Sequence, residues 1–195
     1  MKLKLQFAAV ALGLALASAA AHAQGALYVN PIAIHVGIST ADNSVFSFLG
    51  ANTTSRMFYG VNLGGYYDIP MQNKKYEVGV DLHDSILHGN NALLNSFLVG
   101  PRVAFRTDKR LHPYIEPEIG VGSTRAPNTG IKINKVEYGI YGGADFNLNR
   151  HVNWRVAEIG YSSLQTASAG TIGVTASIPS AQLITITTGF TFRLP

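Results

Sequence analysis

Apolar and polar residues alternate along most of the chain, and turn-forming residues separate the alternating runs. In the segment "GIYGGADFNLNRHVNWRV" (139–156), every second residue from Ile140 to Phe146 is apolar or small, and the alternation resumes at Val152. A period of two is typical of β-strands with two different faces, and helical periodicity is nearly absent. The pattern therefore predicts an all-β protein.

The alternation predicts eight strands. In each of them one face carries aliphatic and aromatic residues, and the other carries mainly charged, small or polar residues; in the first strand Ile32, Ile34, Val36 and Ile38 share a face. The predicted ranges are Leu27–Ile38, Arg56–Ile69, Lys75–Leu87, Leu94–Thr107, His112–Ser123, Asn134–Asn147, His151–Ser162 and Gln182–Leu194.

The predicted connections alternate in length. Short ones (Pro70–Lys74, Asp108–Leu111, Leu148–Arg150) follow the even strands, and longer ones (Ser39–Ser55, His88–Leu93, Thr124–Ile133, Ser163–Ala181) follow the odd strands. This sorting is typical of outer-membrane barrels. Strands of about 10–14 residues suffice to cross a bilayer, and closure leaves no unpaired edge in lipid. We expect an eight-stranded antiparallel up-and-down transmembrane β-barrel.

The N-terminus has the three parts of a secretory signal peptide. Lys2 and Lys4 precede an apolar run, and Ala21 and Ala23 form a small-x-small end. We expect residues 1–23 to be the signal peptide and 24–195 to be the outer-membrane barrel domain. There is no cysteine, which excludes disulfides and thiol chemistry.

Charge and histidine spacing predict no further ligand. The mature chain would be nearly neutral and its basic residues are scattered, which argues against nucleic acid as a partner. The histidines are also scattered, so no metal site and no cofactor are predicted.

Charged residues on the polar face predict an ion-pair network inside the barrel. Because unpaired buried charges are costly, these groups should pair, either as a structural plug or as a gated ion path. Glu116 and Glu118 are expected to pair with Arg102 and Arg106, and a bulge near Val156 and Ala157 would bring Arg155 and Glu158 inside together. The predicted network comprises Asp68, Glu77, Asp81, Arg102, Arg106, Glu116, Glu118, Glu137, Asp145, Arg155, Glu158 and Arg193.

Aromatic residues cluster near the short turns and the C-terminus. Amphipathic rings favour membrane interfaces, so this set predicts one aromatic girdle. Its members are Tyr67, Tyr76, Phe105, Phe146, Trp154 and Phe192.

With these features the chain resembles small outer-membrane barrels similar to the OmpA transmembrane domain. The segment "GGADFNLNRHVNWRV" (142–156) is similar to a strand–turn–strand in outer-membrane barrels of acidobacteria. The segment "TTGFTFRL" (187–194) resembles the last strand that the barrel-assembly machinery reads, although this chain ends in Leu194 and Pro195 rather than Phe. The resemblance implies a cell outer membrane location, with membrane lipid and the assembly machinery as partners.

The role expected from this reading is structural, adhesive or weakly conducting, in a monomer that is not an enzyme. Two alternatives remain. His83 and Ser85 look like the His-x-Ser pair of outer-membrane lipid A deacylases, with Glu77 or Asp81 to orient the base. A soluble periplasmic barrel of lipocalin type would instead carry charges on its outer face. In the predicted strands two to six, no charge is expected mid-strand on the apolar face.

Overall fold

The chain folds into a closed barrel of eight antiparallel strands. The computed structural model describes residues 24–38, 49, 53–71, 75–107, 110–127, 130, 132–165 and 180–194, so the predicted signal peptide lies outside the described residues. The strands are β1 (Gln24–Ile38), β2 (Ser55–Pro70), β3 (Tyr76–Gly89), β4 (Ala92–Phe105), β5 (Leu111–Arg125), β6 (Lys132–Asn147), β7 (Val152–Gln165) and β8 (Ser180–Arg193). Each strand pairs with its neighbour in sequence, and β1 pairs with β8 to close the ring. Among the described residues, no helix has the length and apolar character needed to cross a membrane.

Alternation along each strand separates an apolar outer face from a polar interior. On β3, Val80 and Leu82 are 53% and 43% exposed and point outward. Asp81, which lies between them, and His83, which follows Leu82, are buried. The same parity runs through the other strands, since successive side chains point to opposite faces. The predicted architecture is therefore confirmed.

The interior is apolar at the end of the barrel where β1 joins β2. Ile32, Ile34 and Val36 of β1 point inward, although the general pattern would assign aliphatic side chains to the outer face. They keep this orientation because the β1–β2 register runs without a shift past Asn30 and Pro31. They belong to a buried cluster that also contains Leu49, Phe58, Leu87, Ala92, Leu94, Leu164, Ala181 and Leu183.

Leu49 is the described part of the long first connection. Its side chain is fully buried in the apolar cluster. In the sequence, Leu49 follows the apolar residues Val45, Phe46 and Phe48, which lie outside the described residues. At least one residue of this connection therefore contributes to the core instead of contacting solvent.

The connection between β3 and β4 is shorter than predicted. His88, Gly89, Ala92 and Leu93 extend the two strands, so only Asn90 and Asn91 remain as the turn. Both asparagines have positive φ angles, 47° and 63°, as a two-residue hairpin of type I′ requires. Asparagine tolerates this conformation better than most residues. The prediction that every connection at this end is long is thus wrong here.

One bulge interrupts β7 at the predicted position. The register against β8 shifts between Arg155 and Glu158, and the register against β6 shifts between Ala144 and Asp145. The extra residue restores the inward orientation after Arg155, so Arg155 and Glu158 are both buried inside the barrel.

Inward glycines make room for inward tyrosines. A Cβ atom on Gly143 would lie 2.5 Å from the hydroxyl of Tyr114, and one on Gly160 would lie 2.2 Å from the ring of Tyr141. A narrow barrel has space for these rings only if the neighbouring strand presents no side chain at that point.

Asp84 is an exception to the apolar outer face. It lies in the middle of β3, opposite Leu63 of β2 and Phe97 of β4, and it is partly exposed. The expectation of no mid-strand charge on this face is therefore wrong for β3. Because β3 continues to Gly89 without a bulge, Asp84 keeps the outward parity of Leu82.

Candidate functional site

The candidate site is the charged middle of the barrel interior. Eight carboxylates are buried there: Asp68, Glu77, Asp81, Glu116, Glu118, Glu137, Asp145 and Glu158. They come from five of the eight strands, and their inward orientation follows from strand parity. Two arginines, Arg102 of β4 and Arg155 of β7, are also buried, with exposures of 2% and 0%.

Arg102 joins three carboxylates from three different strands. Its Nε donates to Asp68 Oδ2 of β2 at 3.2 Å, its Nη1 donates to Glu116 of β5, and its Nη2 donates to Asp145 Oδ2 of β6 at 3.4 Å. The guanidinium also lies between the rings of Tyr66 and Tyr114, 4.0 and 3.9 Å from their centroids. Ion pairs and cation–π contacts therefore occupy both its edges and its faces.

Arg155 makes a second, linked set of contacts. Its Nε donates to Asp145 Oδ1 at 3.2 Å, and its Nη1 donates to Glu158 Oε2 at 2.8 Å. The hydroxyl of Tyr114 also donates to Glu158 Oε2, at 2.6 Å, and the ring of Tyr28 lies 4.3 Å from the guanidinium. Asp145 is shared by the two arginines, so they form one continuous cluster.

Arg106 and Arg193 lie outside this central cluster. Arg106 Nε donates to Glu77 Oε1 at 2.6 Å, and the arginine side chain is 42% exposed. Arg193 donates to the side-chain oxygen of Asn147 and not to a carboxylate. Both arginines are at the end of the barrel with the short connections, where solvent reaches them.

The predicted pairing of Arg106 with Glu118 is wrong. The antiparallel register places Val103 opposite Ile115, so Arg102 comes close to Glu116 but Arg106 is carried toward the start of β5. Glu118 is displaced in the opposite direction along β5, and it lies beside His83, whose Nδ1 is 3.3 Å from Glu118 Oε2. Counting residues on one face of each strand could not distinguish these pairings.

Three acids of the interior have no arginine partner. Glu137 accepts hydrogen bonds from the hydroxyls of Ser96 and Ser162, at 2.6 and 2.9 Å. Asp81 accepts one from Tyr28 at 2.8 Å and lies 3.6 Å from His83 Nδ1, and Glu118 is near His83 alone. The described interior thus contains more carboxylates than the arginines can neutralise.

Three tyrosines and two serines of the interior contact the charged groups but were not among the predicted site residues. Tyr28, Tyr66 and Tyr114 contact the arginines, and Ser96 and Ser162 contact Glu137. The available signal was their parity, since each lies on the same face as the charged residues of its strand. The predicted His83–Ser85 pair does lie inside, but the hydroxyl of Ser85 donates to Asn62 Oδ1 at 3.3 Å and His83 faces two carboxylates.

All members of the predicted girdle point outward near the short connections. Tyr76 lies opposite Phe105, and Phe146 lies opposite Trp154. Phe105, Trp154 and Phe192 are 47%, 41% and 50% exposed. Tyr67 also has outward parity, next to the buried Tyr66 and Asp68.

Comparison with known proteins relates the chain to others by fold alone. No family model matches it, and no curated protein matches it. Neisserial surface protein A (NspA) is similar in structure, with a TM-score of 0.51 and 12% identity over 87% of this chain and 99% of that one. Ail, the attachment invasion locus protein of Yersinia pestis, is also similar, in a structure with the heparin analogue sucrose octasulfate. The TM-score is 0.50 and the identity is 12%, over 89% of this chain and 99% of that chain.

Substitution of Arg102 by methionine should strongly destabilise the barrel. The change leaves Asp68, Glu116 and Asp145 without their shared partner, and removal of one member of a buried ion pair typically costs about 3–5 kcal/mol. The free energy of unfolding is measured by urea titration of the barrel in detergent micelles.

Arg106→Met is the matched control. Its guanidinium contacts one carboxylate and its side chain is 42% exposed, so the loss should stay below about 1 kcal/mol. Equal losses in the two variants would contradict the assignment of Arg102 as the centre of the cluster.

Proposed function

We propose that this chain is an integral outer-membrane barrel, with its outer face in lipid and its interior closed by side chains. The observation that carries the proposal is the apolar outer face that surrounds the ring. Large exposed apolar residues occur on every strand, among them Leu27, Val61, Val80, Val99, Ile119, Ile140, Ile159 and Ile186. Water-soluble proteins rarely expose a continuous apolar surface of this extent.

Outward aromatic residues near both ends of the strands support the membrane assignment. Tyr59, Tyr138 and Tyr161 are exposed nearer the apolar end of the interior, opposite the girdle near the short connections. Tyr59 and Tyr67 are eight residues apart on β2, which is ~26 Å along a strand and ~20 Å across a barrel with the usual ~40° tilt. The apolar band of membrane barrels is ~25 Å tall.

The packing of the interior favours a structural role over conduction. Arg102 and Arg155 fill the middle of the barrel together with three tyrosines, and the apolar cluster around Leu49 and Phe58 fills the end beyond them. In an eight-stranded barrel the interior is just wide enough for side chains. An ion path would require these groups to exchange partners.

The same geometry argues against the two alternatives. A barrel of lipocalin type needs an apolar cavity and a polar exterior, whereas here the carboxylates are inside and the aliphatic residues outside. A deacylase of the His-x-Ser type needs its serine and histidine to reach lipid, whereas His83 and Ser85 are 5% and 1% exposed inside the barrel.

Export and assembly complete the proposal. The predicted signal peptide over residues 1–23 and the resemblance of residues 187–194 to an assembly signal support secretion and insertion by the barrel-assembly machinery. The OmpA-like and acidobacterial resemblances support the same class of protein. Ring closure by β1 and β8 supports a monomer, because no strand edge remains for a second chain.

Gel mobility after refolding in detergent tests the membrane assignment. A closed membrane barrel stays folded in cold SDS, so we expect the unboiled chain 24–195 to migrate apart from the boiled one, and the chain to need detergent to stay in solution. A chain that is soluble without detergent and shows no mobility shift would overturn the proposal.

A basic rim favours an adhesive role directed at polyanions. Arg125 at the end of β5 lies directly opposite Lys132 at the start of β6, and Lys135 and Arg56 lie at the same end of the barrel. Like charges directly opposite each other, such as Arg125 and Lys132, destabilise a sheet. A bound polyanion would relieve this repulsion.

Binding of the refolded barrel to immobilised heparin tests the adhesive role. We expect retention that weakens with salt and falls at least several-fold in an Arg125→Gln, Lys132→Gln double variant, because exposed charges are screened by salt. Arg150→Gln, at the opposite end of the barrel, is the control and should bind like the unaltered chain. Equal binding by both variants would contradict a role for the rim.

A further inference from the structure

We infer that Asp81, His83 and Glu118 bind one divalent transition-metal ion, such as Zn²⁺, inside the barrel. The inference concerns a site on the inner wall, independent of what the outer face or the basic rim contacts. It rests on the separation of the three side chains, on their unpartnered oxygens, and on the charge balance of the interior.

The separation of the donor atoms fits a shared metal ion. His83 Nδ1 lies 3.3 Å from Glu118 Oε2 and 3.6 Å from Asp81 Oδ1, and one donor atom from each residue lies within 4.8 Å of the others. Both nitrogen–oxygen separations exceed the usual N–H···O distance of ~2.9 Å. Two ligands each ~2.1 Å from a tetrahedral Zn²⁺ lie ~3.4 Å apart.

The three residues meet across β4, which has a glycine and therefore no side chain between them. Asp81 and His83 are two residues apart on β3 and share its inward face, while Glu118 comes from β5. Between them, β4 presents Gly100 opposite Asp81. A Cβ atom on Gly100 would lie 2.9 Å from Glu118 Cγ, so the glycine leaves Glu118 room to approach the β3 side chains.

The two carboxylates of the cluster carry unpartnered oxygens. Glu118 Oε1 and Asp81 Oδ2 accept no hydrogen bond from the described residues, and Glu118 Oε2 has only His83 Nδ1 nearby, at 3.3 Å. Glu118 is only 4% exposed and Asp81 is 0% exposed. A buried carboxylate without a partner is strongly unfavourable, and neither Arg102 nor Arg155 contacts these two. A dication would neutralise both.

The donor set selects the class of metal. Imidazole nitrogen favours Zn²⁺ and its transition-metal neighbours over Mg²⁺ and Ca²⁺, which prefer oxygen ligands alone. Neighbouring groups hold the ligands in place: the hydroxyl of Tyr28 donates to Asp81 Oδ1 at 2.8 Å, and the ring of Tyr141 packs edge-on against His83 with centroids 5.4 Å apart. Such surrounding contacts are typical of metal sites.

The experiment is metal analysis of the chain refolded in detergent with excess Zn²⁺ and then dialysed. Adding the metal during refolding removes any barrier to entry. We expect about one tightly held Zn²⁺ per folded barrel, and Co²⁺ in its place should give the intense visible absorption of a four-coordinate site. Mobility of the unboiled chain on a gel checks that each sample is folded.

Three variants locate the site. His83→Gln and Glu118→Gln should each lose the bound Zn²⁺ on dialysis, and Tyr28→Phe, which removes the hydrogen bond to Asp81, should weaken binding ~10–100-fold. Glu137→Gln is the matched control, because Glu137 is equally buried but is satisfied by two serine hydroxyls and should leave Zn²⁺ binding unchanged. A folded unaltered chain without Zn²⁺, or equal loss in the control, would overturn the inference.

Discussion

Closure of the sheet between β1 and β8 is the constraint on which the rest of the structure depends. A closed ring has an inside and an outside, and strand parity decides which side chain goes where. Once Val80 and Leu82 point outward, Asp81 and His83 must point inward. Among the described strands, β7 gains a residue at the bulge after Arg155, which keeps two charged side chains on the same side.

The resulting interior has two layers, one stabilised by apolar packing and the other by ion pairs. At the end near the β3–β4 turn, aliphatic residues and Phe58 exclude water as in a globular core. In the middle, Arg102 and Arg155 share Asp145 and draw in carboxylates from four strands. Such a cluster contributes less to stability than its number of contacts implies, because desolvation opposes the attraction. Its main effect is to fix which side chains fill the interior.

The eight strands and their parity could be predicted from the sequence because a period of two is local information. The bulge could also be predicted, since Arg155 and Glu158 both needed the interior. The β3–β4 turn could not, because His88 and Leu93 suit strand and loop equally well until the positive φ angles of Asn90 and Asn91 are known.

Partners inside the barrel were harder to predict, because they depend on register and on reach across several strands. Arg102 contacts residues of β2, β5 and β6, none of which is near it in sequence. The group of Asp81, His83 and Glu118 depends on Gly100, an empty position on the strand between them. Ile32, Ile34 and Val36 of β1 lie on one face, as predicted. Their hydrophobicity alone could not show that this face points to the interior.

Contact between the apolar outer face and lipid can be tested directly through Trp154. It is the only tryptophan of the chain, and its ring points outward, 41% exposed, within the aromatic girdle. The measurement is its fluorescence after reconstitution into vesicles of phosphatidylcholine that carries bromine on the acyl chains near the glycerol end. If this face lies in lipid, the brominated lipid should quench the fluorescence strongly and iodide in the water should quench it weakly. Quenching by iodide with none from the lipid would contradict it.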